Sequence, residues 1–595
     1  MKAFEKQKTK DGFTVKLWRG ERMCLIGFNV EEPEDDFVGF AIEVKAPGAK
    51  QFVPLYNRLA FSYDEAAGEE MDGSRNFSCL KAPFQKFRWI HFPWNVKKGD
   101  YKYRATKMHM PSDGKPLKKG TSITLAISLN PVTYDDFLDV GFTRNFASSQ
   151  AFRDHLGNPQ DINEAGKKII PSDGDKGLEF KKAKGDIYDW MGFEAYDLIF
   201  GFLDEVAEAI KQGRKVTLDV FAYDFNEPDI LARLKGLKKN LRVIIDDSAK
   251  KKDDIVTGHG SPDSPESKAA KQLEVSAGSG NVKRLKFKNL QHNKVFIARE
   301  DGVPYKVLGG STNFTFRGLY IQANNTLVFD DQEIAGLFGR YFDTAFENAD
   351  TFNKTELATS WHVVKKAKMP AVHICFSPHK DTNLSLAPVA GAIAQASSSV
   401  LYAVAFLYQM GAGLTKDEFD RLMERPIFSH GISDKSGKLE LQKPDGSTGM
   451  VDFEYLAENA PEPFKSEWSG GKGINVHHKF VVTDFNLPTA KVFMGSSNLS
   501  PSGERRNGDH LIMIGDQRVA TAYAIEALRV FDHLHFRVKM KEESKKGSKS
   551  SKKKKVVIKL QKPKAISGAK TNWFETSYVP GSQKEKDRKI FSGID

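Results

Sequence analysis

The sequence predicts an α/β protein, with two α/β halves in a pseudo-twofold arrangement behind a β-sandwich-like N-terminal domain. Three observations carry that expectation. Residues 1–140 hold short apolar or alternating runs separated by Gly, Pro and Asp clusters, the pattern of an antiparallel sandwich. From 141 onward strand-like and helix-like segments alternate, as in α/β domains. A short constellation of histidine, lysine, glycine, serine and asparagine then occurs twice at the same offsets, the mark of an internal duplication.

In the first region, 1–140, the strand-like runs are 23–30, 37–44, 87–92, 101–108 and 122–129. Residues 98–105 resemble a late strand of an immunoglobulin- or fibronectin-like domain, and the region contains no catalytic cluster. In the first half, 141–355, helical periodicity over 193–212 precedes a buried-strand run at 214–223, a helix at 228–237 and a strand at 241–246. Residues 250–280 are polar, contain Gly-Ser-Pro-Asp-Ser-Pro and read as a surface insertion. In the second half, 356–540, the succession restarts with a strand at 373–377, a helix at 386–396 and a strand at 399–406. The last region, 541–595, reads as a lysine-rich linker to about 570 and then an aromatic C-terminal segment that docks on the body through Trp573, Phe574, Tyr578 and Phe591.

Composition narrows the function classes. The chain of 595 residues is 40% hydrophobic and 28% charged, which suits a globular protein of roughly three or four domains. Its net charge of +12 invites a nucleic-acid reading, but residues 541–570 alone hold 12 lysines against two glutamates. The remainder is close to neutral and offers no broad electrostatic footprint. The basic stretch between Lys545 and Lys555 reads as a solvated linker, with binding to an anionic membrane surface or nucleic acid as the alternative. Cys24, Cys79 and Cys375 lack C-x-x-C or zinc-like spacing, so neither a disulfide framework nor structural zinc is indicated. The N-terminus is charged without an apolar segment behind it, and no run of about 18 apolar residues occurs. The expected location is cytoplasmic or membrane-peripheral, with signal-less export left open.

The repeat is the most informative feature. In the first half Gln291-His-Asn-Lys-Val-Phe-Ile-Ala is followed by Lys306-Val-Leu-Gly-Gly-Ser-Thr-Asn313. In the second Val476-His-His-Lys-Phe-Val-Val-Thr-Asp484 is followed by Lys491-Val-Phe-Met-Gly-Ser-Ser-Asn498. Lys294 and Lys479 lie two residues after His292 and His477; Gly310 and Gly495 lie 18 after, Ser311 and Ser496 lie 19 after, and Asn313 and Asn498 lie 21 after. Either His-x-Lys alone would mean nothing; four residue types at equal offsets twice is a signal. In strand-like segments, period two puts His and Lys on one face. Histidine can attack phosphorus or donate a proton, and lysine neutralises phosphate oxygens as a point charge. The glycines allow close backbone approach, and Ser and Asn can orient a phosphate or the lysine. Two such halves facing each other supply the nucleophile and the acid of a two-step displacement.

At these residues the chain resembles the phospholipase D superfamily, whose signature is His-x-Lys-x4-Asp followed by Gly-Ser-x-Asn. The resemblance spans about residues 180–535. It implies paired α/β halves sharing one site, a phosphohistidine intermediate, and no metal or other cofactor. Carried onto this sequence, it implies His292, Lys294, Asn313, His477, Lys479 and Asn498 as catalytic residues, with Ser311, Ser496, Gly310 and Gly495 orienting substrate. The superfamily contains phospholipases, phosphatidyltransferases, nucleases and DNA-end-processing enzymes, so the resemblance implies a reaction type more firmly than a substrate. The expected function is hydrolysis of glycerophospholipid headgroups. The alternatives are a nuclease of the same superfamily and a catalytically silent lipid- or protein-binding module. With both half-sites in one chain, no obligate oligomer is expected.

Two departures qualify the pattern. Asp484 completes the signature in the second half, whereas Arg299 occupies that position in the first. Asp484 lies seven residues after His477, an odd step that points it away from the catalytic pair and toward a structural role. Downstream, aligning Leu327 with Leu511 pairs Asn325 with Asp509. In the resembled family this position holds the group that orients the histidine ring, which implies that Asp509 keeps His477 protonated as the acid and Asn325 leaves His292 neutral as the nucleophile. Other candidates carry two readings each. His478 faces the opposite side of its strand from His477, so a His-His metal pair is not expected. Tyr223, Asp224 and Glu227 line the mouth or begin a helix; Phe406, Tyr408 and Met410 form a substrate wall or pack in the core; Arg505 and Arg506 contact phosphate or lie on a solvated turn.

Overall fold

The computed structural model describes residues 3–62, 77–112, 116–130, 134, 136–144, 187–252, 255–434, 443, 447, 450–452, 475–546 and 559–594. Its N-terminal strands are β1 (Glu5–Lys10), β2 (Phe13–Arg19), β3 (Cys24–Val30), β4 (Phe37–Lys45), β5 (Val53–Pro54), β6 (Arg88–His91), β7 (Asp100–His109) and β8 (Lys118–Ser128). They form two antiparallel sheets, β1-β2-β3-β6 and β8-β7-β4-β5. The inward faces meet on a stack of phenylalanines, with Phe28 and Phe40 at 4.3 Å and Phe13 and Phe40 at 5.7 Å. Burying each such ring contributes roughly 1.5–3 kcal/mol.

The first half contributes β9 (Leu138–Phe142), β10 (Val216–Ala222), β11 (Leu241–Asp246), β12 (Val282–Leu285), β13 (Val295–Glu300), β14 (Val303–Gly310) and β15 (Asn325–Phe329). The second contributes β16 (His362–Val364), β17 (Val372–Ser377), β18 (Ser399–Val404), β19 (Phe428–Ser433), β20 (Met450–Asp452), β21 (Lys479–Thr483), β22 (Lys491–Gly495) and β23 (Asp509–Ile514). The first sheet runs β9-β15-β14-β13-β10-β11-β12, and the second runs β16-β17-β23-β22-β21-β18-β19-β20. Beyond the extra edge strand β16, the two orders correspond strand for strand. In both, the first four pairings are antiparallel and the last two parallel.

The principal helices are α1 (Ile187–Lys211), α2 (Pro228–Leu237), α3 (Pro265–Ala277), α4 (Gln332–Asn348), α5 (Asn383–Gln395), α6 (Leu414–Glu424), α7 (Pro501–Arg506), α8 (Gln517–Lys546) and α9 (Gln583–Ser592). One apolar cluster is common to both sheets and includes side chains of α4 and α8, so the halves share a core. Helices α1, α2 and α3 cover the other face of the first sheet, and α5 and α6 cover that of the second. Among the described residues no helix is long and apolar enough to cross a membrane.

The expectation of a surface insertion over 250–280 needs correction. Ala249–Lys252 and Ile255–Gly258 do form an exposed hairpin, but α3 is a packed helix, capped by Ser264 and buried through Ala269, Ala270 and Leu273. A core face built largely of alanines carries too little apolar contrast to show as periodicity. The lysine-rich linker expected to run to about 570 also differs. Helix α8 continues to Lys546, and from 559 the chain is already paired to the sandwich through Leu560 N–H and Ala60 C=O; residues 547–558 lie outside the described residues.

Residues 559–594 run across the sandwich and onto the second half. The Trp573 ring stacks on Phe87 at 5.3 Å, and the Trp18 indole N–H donates to Phe591 C=O at 2.8 Å. Gly27 makes this approach possible, because a Cβ there would lie 2.0 Å from the Phe591 carbonyl oxygen. Phe591 also packs against Phe485 and Phe428, each at 5.4 Å. Arg88 holds three elements together, with Nε 2.8 Å from Asp587 of α9 and Nη2 3.0 Å from Asp532 of α8. We expect Arg88→Ala to lower stability by about 3 kcal/mol, because both carboxylates lose their buried counterion. Chemical denaturation would measure it, and a change within about 0.5 kcal/mol, the usual surface range, would show that the cluster does not hold the regions together.

Candidate active site

The His-x-Lys pairs, expected within strands, stand instead at the entry to strands. His292 and Lys294 precede β13, His477 precedes β21, and Lys479 is the first residue of β21. The departure from a continuous strand has a cause: the chain here pairs with the other half. Gln291 bridges Gly508 and Val476 bridges Ala323. The His292 N–H donates to Gly508 C=O at 2.9 Å, and the His477 N–H donates to Ala323 C=O at 3.0 Å.

Both histidines therefore face one cavity of about 600 Å³, which Asn313, Asn498, Tyr223, Asp224, Phe406 and Tyr408 also line. Both lysines are buried beneath it. Lys479 Nζ donates to His477 Nε2 and to the His477 carbonyl, each at 3.0 Å, and Lys294 Nζ donates to the His292 carbonyl. Burial pushes the Lys294 ammonium down to about 8 against the pull of Asp509 and Asp224. Burial and the neighbouring Lys294 charge hold Lys479 well below the ordinary lysine range. Two buried ammonium groups short of counter-charge suit an arriving phosphate.

The Gly-Ser-x-Asn turns follow β14 and β22. Gly310 and Gly495 adopt φ of +134° and +148°, and a Cβ would meet the Asn325 carbonyl at 2.5 Å and the His510 carbonyl at 2.3 Å. The serines expected to orient substrate do something else: both are fully buried behind the cavity. Ser311 Oγ donates to Asn324 Oδ1 at 2.9 Å, and Ser496 Oγ donates to Asp509 Oδ1 at 2.7 Å. They fix the groups that fix the histidines. The asparagines do reach the cavity, with Asn313 Nδ2 donating to Asp224 at 2.6 Å and Asn498 Nδ2 to Gln409 at 3.4 Å.

The expected partnership of Asp509 with His477 is overturned. Asp509 Oδ1 accepts from His292 Nδ1 at 2.7 Å, across the two halves. His477 Nδ1 donates to Oδ1 of Asn324 at 2.9 Å, an amide oriented by its own Nδ2 bond to Gly318 C=O. Asn325 plays no such part, and its side-chain amide meets no partner among the described residues. The error was one residue of register. Gly310 pairs with Thr326 and Gly495 with Leu511, so Asn324, not Asn325, stands where Asp509 stands. Counting from the glycines would have found it, since Asn324 and Asp509 each lie 14 residues further on.

These contacts set the electrostatics. Burial lowers His292 below the ordinary histidine value despite the opposing pull of Asp509, and it lowers His477 much further, aided by Lys479 and Lys294. Burial opposes the charge of Asp509, yet the attraction of His292 keeps its carboxyl below the usual range. Asp484 lies apart and accepts from Ser397, Ser398 and Ser399 N–H groups, while Arg299 pairs with Asp219 at 2.6 Å. His478 turns from the cavity to Glu526 at 2.9 Å. Glu227 caps α2, Met410 is core, and Arg505 and Arg506 are exposed at the end of α7 outside the cavity lining. Sequence reasoning missed Asn324, Gln409 and the lining residues Asn289, Leu290, Gln322 and Asn507, which only the apposition of the halves brings together.

Residues 206–346 match a family model described as cardiolipin synthase, PLD-like domain. The match supports the resemblance of the chain to the phospholipase D superfamily. Members of the superfamily act on phosphodiester bonds. Among solved structures, phosphatidylserine synthase from Haemophilus influenzae Rd KW20 is 12% identical, with 58% of this chain and 91% of that one covered at a TM-score of 0.38. Nuc from Salmonella typhimurium, a phospholipase D family member, is 21% identical over 26% of this chain and 86% of its own, at a TM-score of 0.19. Polyphosphate kinase from Porphyromonas gingivalis is 12% identical over 58% of this chain at a TM-score of 0.36, and the chain spans about half its length, 48%. No curated protein matches the sequence.

Proposed function

We propose that this protein is a monomeric phosphodiesterase of the phospholipase D superfamily that hydrolyses glycerophospholipid headgroups through a phosphohistidine at His292. The observation that carries this reading is that His292 and His477, each held by a residue of the opposite half, line one cavity. A pseudo-twofold between the halves then sets the histidines on either side of the phosphorus. Because Asp509 accepts the Nδ1 proton, His292 presents the Nε2 lone pair for attack, and the carboxylate stabilises the positive ring that results. As the N–P bond forms, the P–O bond to the headgroup breaks, and His477, protonated once an anionic phosphate is bound, gives its Nε2 proton to the leaving oxygen. Water then attacks phosphorus, His477 takes back a proton, and His292 is released. The lysines and the Asn313 and Asn498 amides bind the non-bridging oxygens.

The cavity walls favour a lipid over a nucleic acid. Tyr223, Phe406 and Tyr408 line the cavity, and apart from Lys294 and Lys479 beneath it no lysine or arginine among the described residues stands at its wall. A nuclease needs a cationic track along the backbone. Purified protein incubated with mixed phospholipids, and separately with single-stranded and duplex DNA, tests the choice. Released headgroup and phosphatidate are expected; cleavage of DNA alone would make the protein a nuclease. Run in EDTA, the reaction should keep its rate, because histidine and lysine supply the nucleophile and the counter-charge. Complete loss restored by added zinc or magnesium would overturn the mechanism.

The pH profile follows from the same groups. His292 must be neutral, so kcat/KM should rise with pH through a value below the ordinary histidine value of 6.5. Lys294 must be charged, so the profile should fall as pH rises through about 8. An alkaline limb near the ordinary lysine value of 10.5 would show that this buried ammonium does not carry the substrate's charge.

A further inference from the structure

Beside the first half-site lies a charged group that the mechanism above does not use. His259 closes the exposed hairpin and sits between two carboxylates, with Nδ1 2.8 Å from Asp246 and Nε2 2.7 Å from Asp224. A carboxylate only accepts, so both ring nitrogens carry protons and the ring is an imidazolium. Asp246 ends β11, is fully buried and accepts the Gln291 N–H at 2.6 Å, one residue before His292. Asp224 walls the cavity and accepts Asn313 Nδ2 at 2.6 Å. The Tyr223 ring fills the gap, 4.7 Å from His259 and 4.6 Å from His292.

We propose that His259 is a positioning residue, an imidazolium strut that holds Asp224, and through it the Asn313 amide, against the substrate phosphate. The inference rests on the phosphodiesterase reading. An amide nitrogen has two protons; Asp224 takes one and thereby aims the other into the cavity. The second half repeats the backbone part of this arrangement. There Asp434 accepts Asn475 N–H at 2.8 Å, and neutral Gln409 stands beside Asn498 at the longer 3.4 Å.

The groups facing His259 agree with a fixed positive charge. Asp224 follows β10, Asp246 ends β11, and Glu266 opens α3 and accepts the Phe225 N–H at 3.0 Å. Arg284 of β12 donates to the His259 carbonyl at 2.7 Å and pairs with Asp247 at 3.0 Å, which fixes the hairpin base. Burial opposes the charge on His259, but the bonds to Asp224 and Asp246 raise it to about 10. Asp224, His259 and Glu266 also lie close enough to be read as metal ligands, within 4.8 Å of one another. A metal would need the Nε2 lone pair that the ion pair with Asp224 uses as N–H.

The test uses the full chain and a soluble diester, bis(p-nitrophenyl) phosphate. His259→Ala should lower kcat roughly ten- to hundredfold with a smaller change in KM. Added imidazole should restore the rate, and the restored rate should fall as pH rises through the ordinary imidazole range of about 6.5. His259→Gln, which keeps one donor without charge, should fall between wild type and alanine and serves if the alanine protein does not fold. Asp224→Asn should cost about as much as His259→Ala, and the double variant no more than the worse single. Unchanged kcat in His259→Ala, additive losses, or rescue by zinc and not by imidazole would each overturn the strut. A wild type that binds inorganic phosphate but cleaves no diester would overturn the enzymatic reading alone. The strut is then read from calorimetry, where His259→Ala should bind phosphate more weakly and equal affinity would overturn it. A wild type that neither cleaves nor binds phosphate overturns both.

Discussion

His292→Asn should lose at least about 10⁴-fold in kcat with every substrate, whatever its leaving group, because His292 is the group assigned to form the covalent bond. The decisive comparison is His477→Asn. That variant should lose as much on ordinary phospholipids, whose alkoxide leaving groups need a proton. With a nitrophenolate leaving group it should still form the adduct quickly and then hydrolyse it slowly, since the water lacks its base. Acid quench and peptide mass spectrometry would locate the phosphoryl group. An adduct on His477 in the wild-type protein would reverse the two roles and leave the reaction class standing.

Asp509→Asn is expected to lower kcat on the order of 10²–10⁴-fold, and to do so in the first chemical step. The present geometry makes it a lesion of the nucleophile. An amide can donate to His292 Nδ1, which moves the ring proton to Nε2 and removes the attacking lone pair. It also withdraws the charge that balances the phosphohistidine. Adduct formation should therefore slow even with nitrophenolate, unlike in His477→Asn. A defect that vanishes with the activated leaving group would return Asp509 to the acid side of the reaction.

That contrast shows what the sequence could and could not convey. The offsets from His292 to Asn313 and from His477 to Asn498 survive because each motif is one loop, a two-stranded hairpin and a turn, and local chain geometry repeats wherever that unit repeats. Whether Asn324 or Asn325 faces a histidine depends instead on a ladder between strands, where one residue of slip reverses every side chain. The exchange of orienting groups between halves is a contact over 217 residues for His292 and Asp509, and no local pattern encodes it. Tyr223, Phe406 and Tyr408 kept two readings for a similar reason: strand-end aromatics look alike in a sequence whether they line a cavity or fill a core. Asp484 was easier, since parity along a strand is local.

The way residues 559–594 close over β3 bears on how the molecule is made. A ribosome adding about 5–20 residues per second delivers this segment on the order of a minute after β3 has emerged. Throughout that interval the flank of the sandwich around Trp18 and Gly27 has no α9 to cover it, and the Arg88 guanidinium lacks Asp587. The sandwich, which leaves the exit tunnel ahead of both α/β halves, is therefore completed only after them. A nascent chain stalled before α9 presents an apolar flank, and one stalled before Asp532 also presents an uncompensated cation, the kind of surface that chaperones and proteases sample first.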